Sequence, residues 1–178
     1  MLRNKTIASV AFILAALPVT AGFADEGTWK ADVYDFSVSP PKLLSYVPRA
    51  EKATKQWNIC FLAPHMKDSF WVAADYGLVQ EARRQGIKLT ILQAGGYDQL
   101  PKQLSQFDDC MAAHADAIIT APISESGFGE KFKQGLAAGI PQIAAFNPVS
   151  HVPVTAKMAV DVRTNSRLVG EAVVKSAN

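Results

Sequence analysis

The sequence predicts an α/β fold, a doubly wound parallel sheet with strand order 2-1-3-4-5, and three observations carry that expectation. From Asn58 onward, short apolar runs alternate with helix-period segments, the pattern of repeated βαβ units. The runs are continuously apolar rather than alternating, as strands covered by helices on both faces require. Each helical segment stops at or near a glycine and a strand follows within a few residues. The crossovers are therefore short, and right-handed crossovers lead to that strand order.

Residues 1–24 hold Arg3 and Lys5, then an apolar run from Ile7 to Phe23, then Ala24 just before Asp25 and Glu26. These are the three regions of a secretory signal peptide, with cleavage expected after Ala24. A membrane anchor is the competing reading, but the run is short for a spanning helix and contains Pro18. No later apolar run is long enough to cross a bilayer, so no membrane span is expected after cleavage. Residues 25–56 are of mixed polarity, with Pro40, Pro41 and Pro48 and no sustained period. They are expected to form an extended N-terminal arm with room for one short strand.

A ligand-binding α/β lobe is expected over residues 57–160, with strands at 58–62, 88–93, 117–120, 142–145 and 157–160. The first helix runs from Ser69 to Gln85, with Asp68 or Ser69 as N-cap and Gly86 as the stop. Trp71, Ala74, Leu78, Val79 and Ala82 form its apolar stripe. The second helix runs from Leu100 to His114, with Leu104, Phe107, Cys110 and Met111 facing inward. The third spans Phe128 to Ala138 and ends at Gly139. Residues 161–178 read as a hinge and an amphipathic helix from Arg163 to Lys175 with no strand after it. An unfinished crossover of this kind leads to the expectation of a second lobe that is missing here.

A formal net charge of +2, with Lys and Arg evenly spread, argues against a nucleic-acid partner. The two cysteines, Cys60 and Cys110, are exported to an oxidising compartment, where a disulfide between them is one reading and two free, buried thiols the other. No Cys-x-x-Cys spacing supports a redox or zinc site. His65, His114 and His151 have no partner at metal or triad spacing, and His65 reads as a solvated loop residue. Gly95-Gly96-Tyr97 lacks the rest of a phosphate-binding motif, and Ser69, Ser124 and Ser126 lack a nucleophile elbow. No catalytic residue, metal or cofactor is expected, and the chain reads as a small-molecule receptor.

In an open α/β sheet the ligand lies outside the carboxyl ends of the strands. The loops gathered there are 63–68, 94–98, 121–124, 146–148 and 161–165, carrying Asp68, Trp71, Tyr97, Asp98, Phe146, Asn147 and Asp161. Aromatic faces with single carboxylates and amides suit a small neutral or zwitterionic ligand. Each of these residues has a plainer reading as well: Trp71 and Tyr76 as packing, Asp68 as a helix cap alone.

At these residues a resemblance becomes specific. The run Lys67-Asp-Ser-Phe-Trp71, then Tyr76-Gly77, Gln80-Glu-Ala-Arg-Arg84, Leu92-Gln-Ala-Gly-Gly-Tyr97 and Gln99-Leu100, resembles the N-terminal lobe of TorT-type periplasmic binding proteins. These belong to the type I, sugar-binding-protein-like receptors. The resemblance implies a periplasmic two-lobed receptor that closes on trimethylamine N-oxide and reports to a membrane sensor histidine kinase. It carries over Asp68, Phe70 and Trp71 as ligand contacts, with Tyr76 a weaker candidate, and favours a Cys60–Cys110 disulfide. A binding component of a sugar or small-solute ABC transporter is the alternative, and a flavodoxin-like enzyme or cofactor carrier a more distant one. The hydrogen-bond donor that an N-oxide oxygen needs is not assigned by the sequence.

Overall fold

The structure, a computed structural model, describes residues 30–35, 38–159 and 162–177. The expected signal peptide and Asp161 lie outside the described residues. The chain divides into two compact units, one ending at Ala50 and the other starting at Glu51.

The first unit holds an antiparallel pair, β1 (Ala31–Asp35) and β2 (Lys42–Tyr46), in register from Ala31↔Tyr46 to Asp35↔Lys42. The arm was expected to have room for one strand, and it has two. Val33 and Tyr34 face Leu44 and Leu43, so strand-forming residues pair across the ribbon even though neither segment is long enough to show a period of its own.

The second unit is built from β3 (Asn58–Ala63), α1 (Ser69–Gln85), β4 (Lys88–Gln93), α2 (Leu100–Ala112), β5 (Ala117–Thr120), α3 (Glu125–Ala137), β6 (Gln142–Phe146), β7 (Ala156–Ala159) and α4 (Val162–Ser176). The sheet is parallel throughout in the order β4-β3-β5-β6-β7, which is the predicted 2-1-3-4-5. Cys60 lies beside Thr90 on one side and Ile118 on the other, which fixes the register across its centre.

Alternation along β3 sends its side chains to two separate cores. Cys60 and Leu62 join Phe107, Cys110, Ala115, Ile118, Phe128 and Phe132 under α2 and α3. Phe61 and Ala63 join Trp71 and Ala121 on the α1 side. Cys60 and Cys110 form a disulfide with Cα atoms 6.0 Å apart, tying β3 to α2 across 50 residues of sequence.

Helix α3 begins at Glu125, three residues before the expected Phe128. Ser124 accepts a hydrogen bond from Gly127 N and so caps it, while Gly127 and Gly129 hide that first turn from a propensity reading. Helix α2 buries a polar side chain among its apolar residues: Gln103 Nε2 donates to Ala121 O and Gln103 Oε1 accepts from Ile123 N, both at 2.9 Å. The described residues of β7 and α4 are exposed, including Met158, Leu168, Val169, Val173 and Val174. Among the described residues no helix is long and apolar enough to cross a membrane.

Candidate functional site

The carboxyl edge of the sheet is stitched together by its own backbone. Pro64, one residue past β3, accepts from Gly95 N and Gly96 N at 2.9 and 3.0 Å, which binds the loop after β4 to the loop after β3. Gly95 has φ +107°, a conformation that favours glycine. The space above Gly96 is filled by the Asp98 carboxylate, whose Oδ1 stands where a Cβ would reach. A hydrogen bond from the Gln99 side chain, then one from Asp98's own backbone, and the nearby Lys67 hold the Asp98 carboxyl below the usual carboxylate range.

Asp68 starts α1: its Oδ1 accepts from Trp71 N at 3.1 Å, as an N-cap should. That cap turns the two neighbouring aromatics in opposite senses. Trp71 points into the core and is 2% exposed, whereas Phe70 is 48% exposed. Around them the rings meet edge to face, with centroids at 5.1 Å for Phe70–Trp71, 5.8 Å for Phe70–Phe146 and 5.6 Å for Trp71–Phe146. Phe146 sits at φ +68°, a conformation that costs a non-glycine residue about 1 kcal/mol or more. It ends β6 in the middle of this aromatic set.

His65 continues the set, with its ring 6.1 Å from Trp71 and 5.3 Å from Tyr97. It is 9% exposed, so the expectation of a solvated loop histidine is overturned. Its Nδ1 accepts from Lys67 N at 3.2 Å, and Nε2 lies 3.9 Å from Asp68 Oδ2. No spacing in the sequence marks it, because the rings that cover it, Trp71 on α1 and Tyr97 in the loop after β4, come from other segments. Tyr97 is half exposed and donates to Asn147 Oδ1 at 3.4 Å; Asn147 Nδ2 donates to Pro122 O at 3.0 Å.

Of the residues singled out in the sequence, Asp68, Phe70, Trp71, Tyr97 and Asn147 are thus gathered on one edge, with His65 and Phe146 between them. Tyr76 stands 65% exposed on α1 and, among the described residues, joins none of these ring pairs. A hollow of about 190 Å³ lies elsewhere, beside the disulfide, lined in part by Asn58, Thr90, Leu92 and Asp109. Among the described residues no group of three His, Cys, Asp or Glu could hold a metal ion. The aromatic edge, with the Asp68 carboxylate and the Tyr97 phenol, can hold a small dipolar or cationic molecule against ring faces.

Comparison with known proteins agrees with this architecture. Residues 59–178 match the periplasmic binding protein domain family. Periplasmic protein TorT of Escherichia coli strain K12 is 38% identical over 109 residues, 61% of this chain and 31% of the relative, so the match spans about a third of that protein. An ABC transporter solute-binding protein from Bradyrhizobium sp. BTAi1, solved with bound Bis-Tris, is 36% identical with TM-score 0.70, over 76% of this chain and 41% of that one. The complex of the TorS sensor domain with TorT in the presence of TMAO aligns at 30% identity and TM-score 0.55, over 60% of this chain and 37% of that one. Such relatives are binding proteins, not enzymes. With the sheet order and the family match in agreement, this chain belongs to the periplasmic binding protein family, and its fold is part of the type I architecture.

Proposed function

We propose that this chain is the N-terminal lobe of a periplasmic sensor that binds trimethylamine N-oxide and signals to the periplasmic domain of a membrane histidine kinase. The observation that carries the reading is the aromatic edge itself, set on the segment that resembles TorT. Phe70 and Tyr97, each about half exposed, offer ring faces to a trimethylammonium group, and Asp68 adds a carboxylate beside them. Trp71 backs Phe70 from inside the core. In this reading residues 1–24 direct export, and Asp161 lies at a hinge to a second lobe that covers the ligand from the other side.

The alternative is a solute-binding component of an ABC transporter, favoured by the likeness to the Bradyrhizobium protein. A calorimetric titration with trimethylamine N-oxide and with ribose separates the two. Saturable heat with the N-oxide alone supports the sensor. Saturable heat with ribose alone supports transport and overturns the sensor reading.

A further inference from the structure

We infer that His65 is a specificity-determining residue of this site, and that its Nε2–H is the donor that selects a ligand with a negatively polarised oxygen next to its cationic centre. The inference rests on the solute-binding reading above and names the polar group which that reading leaves open.

The tautomer follows from the geometry. Nδ1 accepts the Lys67 backbone N–H at 3.2 Å, so its lone pair is engaged and the proton of the neutral ring sits on Nε2. A ring carrying protons on both nitrogens would turn N–H against N–H at that contact. Among the described residues the nearest carboxylate oxygen, Asp68 Oδ2, is 3.9 Å from Nε2, beyond hydrogen-bond reach. A largely buried side chain, 11% exposed, therefore presents a donor without a short bond to that acceptor. Burial makes such a donor selective, because a ligand that offers it no acceptor leaves its desolvation uncompensated.

The donor is also held in place. Trp71 and Tyr97 meet the ring edge to face, so it cannot swivel without displacing both. Asp68 is fixed in turn by its cap bond to Trp71 N. An N–H and a carboxylate oxygen 3.9 Å apart form a dipolar receiver: the N–H takes the oxygen, and the carboxylate with the neighbouring rings takes the positive centre. An amine N-oxide carries both poles on one bond. A quaternary ammonium ion has only the positive one.

The test compares the purified protein with His65→Phe and His65→Gln, titrated calorimetrically with trimethylamine N-oxide and with tetramethylammonium. Phenylalanine keeps a ring against Trp71 and Tyr97 and removes the donor; glutamine restores an N–H near the position of Nε2. The expected result is a loss of about tenfold or more for the N-oxide in His65→Phe, with tetramethylammonium affinity unchanged, and recovery to within about threefold in His65→Gln. Equal losses for both ligands, or none, would overturn the inference. Nitrogen-detected NMR of the unliganded protein supplies a second reading: a protonated Nε2 and bare Nδ1 are expected, and the opposite tautomer overturns it whatever the ligand. If the unaltered protein gives no heat with the N-oxide while the tautomer is as expected, the failure belongs to the proposed function and removes the ligand half of this inference with it.

Discussion

Tyr97 donates its phenol to Asn147 Oδ1 across a gap of 3.4 Å, joining the loop after β4 to the loop after β6. Asn147 carries the link onward to Pro122 in the loop after β5. Three loops that are 25 residues or more apart in sequence thus act as one rim, and the residue at its centre spends both ends of its amide on neighbours.

Replacing Asn147 with alanine should therefore loosen the rim. The Pro122 carbonyl and the Tyr97 phenol both lose a partner, so a drop in stability of about 1–2 kcal/mol is expected. Urea unfolding checks it, and an unchanged midpoint would mean the two bonds carry no net weight.

Phe70 and Trp71 should separate binding from folding. Trp71 is buried in the α1-side core, so Trp71→Ala should cost about 3–5 kcal/mol and threaten the fold. Phe70→Ala removes exposed ring pairs and should cost about 1 kcal/mol in stability while weakening N-oxide binding about tenfold. Thermal melts and calorimetry on the two variants check this, and comparable stability losses would contradict the burial difference.

The disulfide closes a long loop and should matter mainly through the unfolded chain. Replacing Cys60 and Cys110 together with alanine is expected to remove about 4 kcal/mol. Denaturant curves of the native and double-variant proteins should then differ clearly in midpoint; coincident curves would refute the assignment of stability to the cross-link.

Acid should loosen the connection between β6 and β7. Backbone N–H groups of His151 and then Ser150, the latter at 2.7 Å, donate to Glu125 and hold its carboxyl below the usual glutamate range. Because the folded value is the lower one, this stabilisation is full above the unfolded value of about 4.3 and is lost as pH falls through the folded value. Glu125→Gln should therefore flatten the fall in stability between roughly pH 5 and pH 3, measured by thermal melting across that range. A variant with the same acid profile as the original would show that this carboxylate is not the one that titrates.

Much of the fold is legible because the parallel strands are short with apolar centres: 58–63, 117–120 and 142–146 can hardly be anything else once helices flank them. Helix α1 shows both of its ends, at Asp68 and at Gly86. Where the sequence misleads, the cause is local. Gly127 and Gly129 mask the start of α3, and neither β1 nor β2 is long enough to show a period by itself. For the site, the motif brings Asp68, Phe70 and Trp71 together, and the helix period puts Trp71 on the inward stripe and leaves Phe70 off it, as the structure has them. His65 is harder, because its burial is created by Tyr97 and Trp71 from two other segments.

Gln103 reaches from α2 to the turn after β5 and grips only main-chain atoms, the carbonyl of Ala121 and the amide of Ile123. A clamp of that kind is indifferent to side-chain identity at the positions it holds. The path of the turn is thereby set from the helix, with the buried Pro122 carried between the two residues that Gln103 holds. Gln103 is therefore a bracket whose loss would be felt at the carboxyl edge of β5 and not on α2, where its own backbone sits.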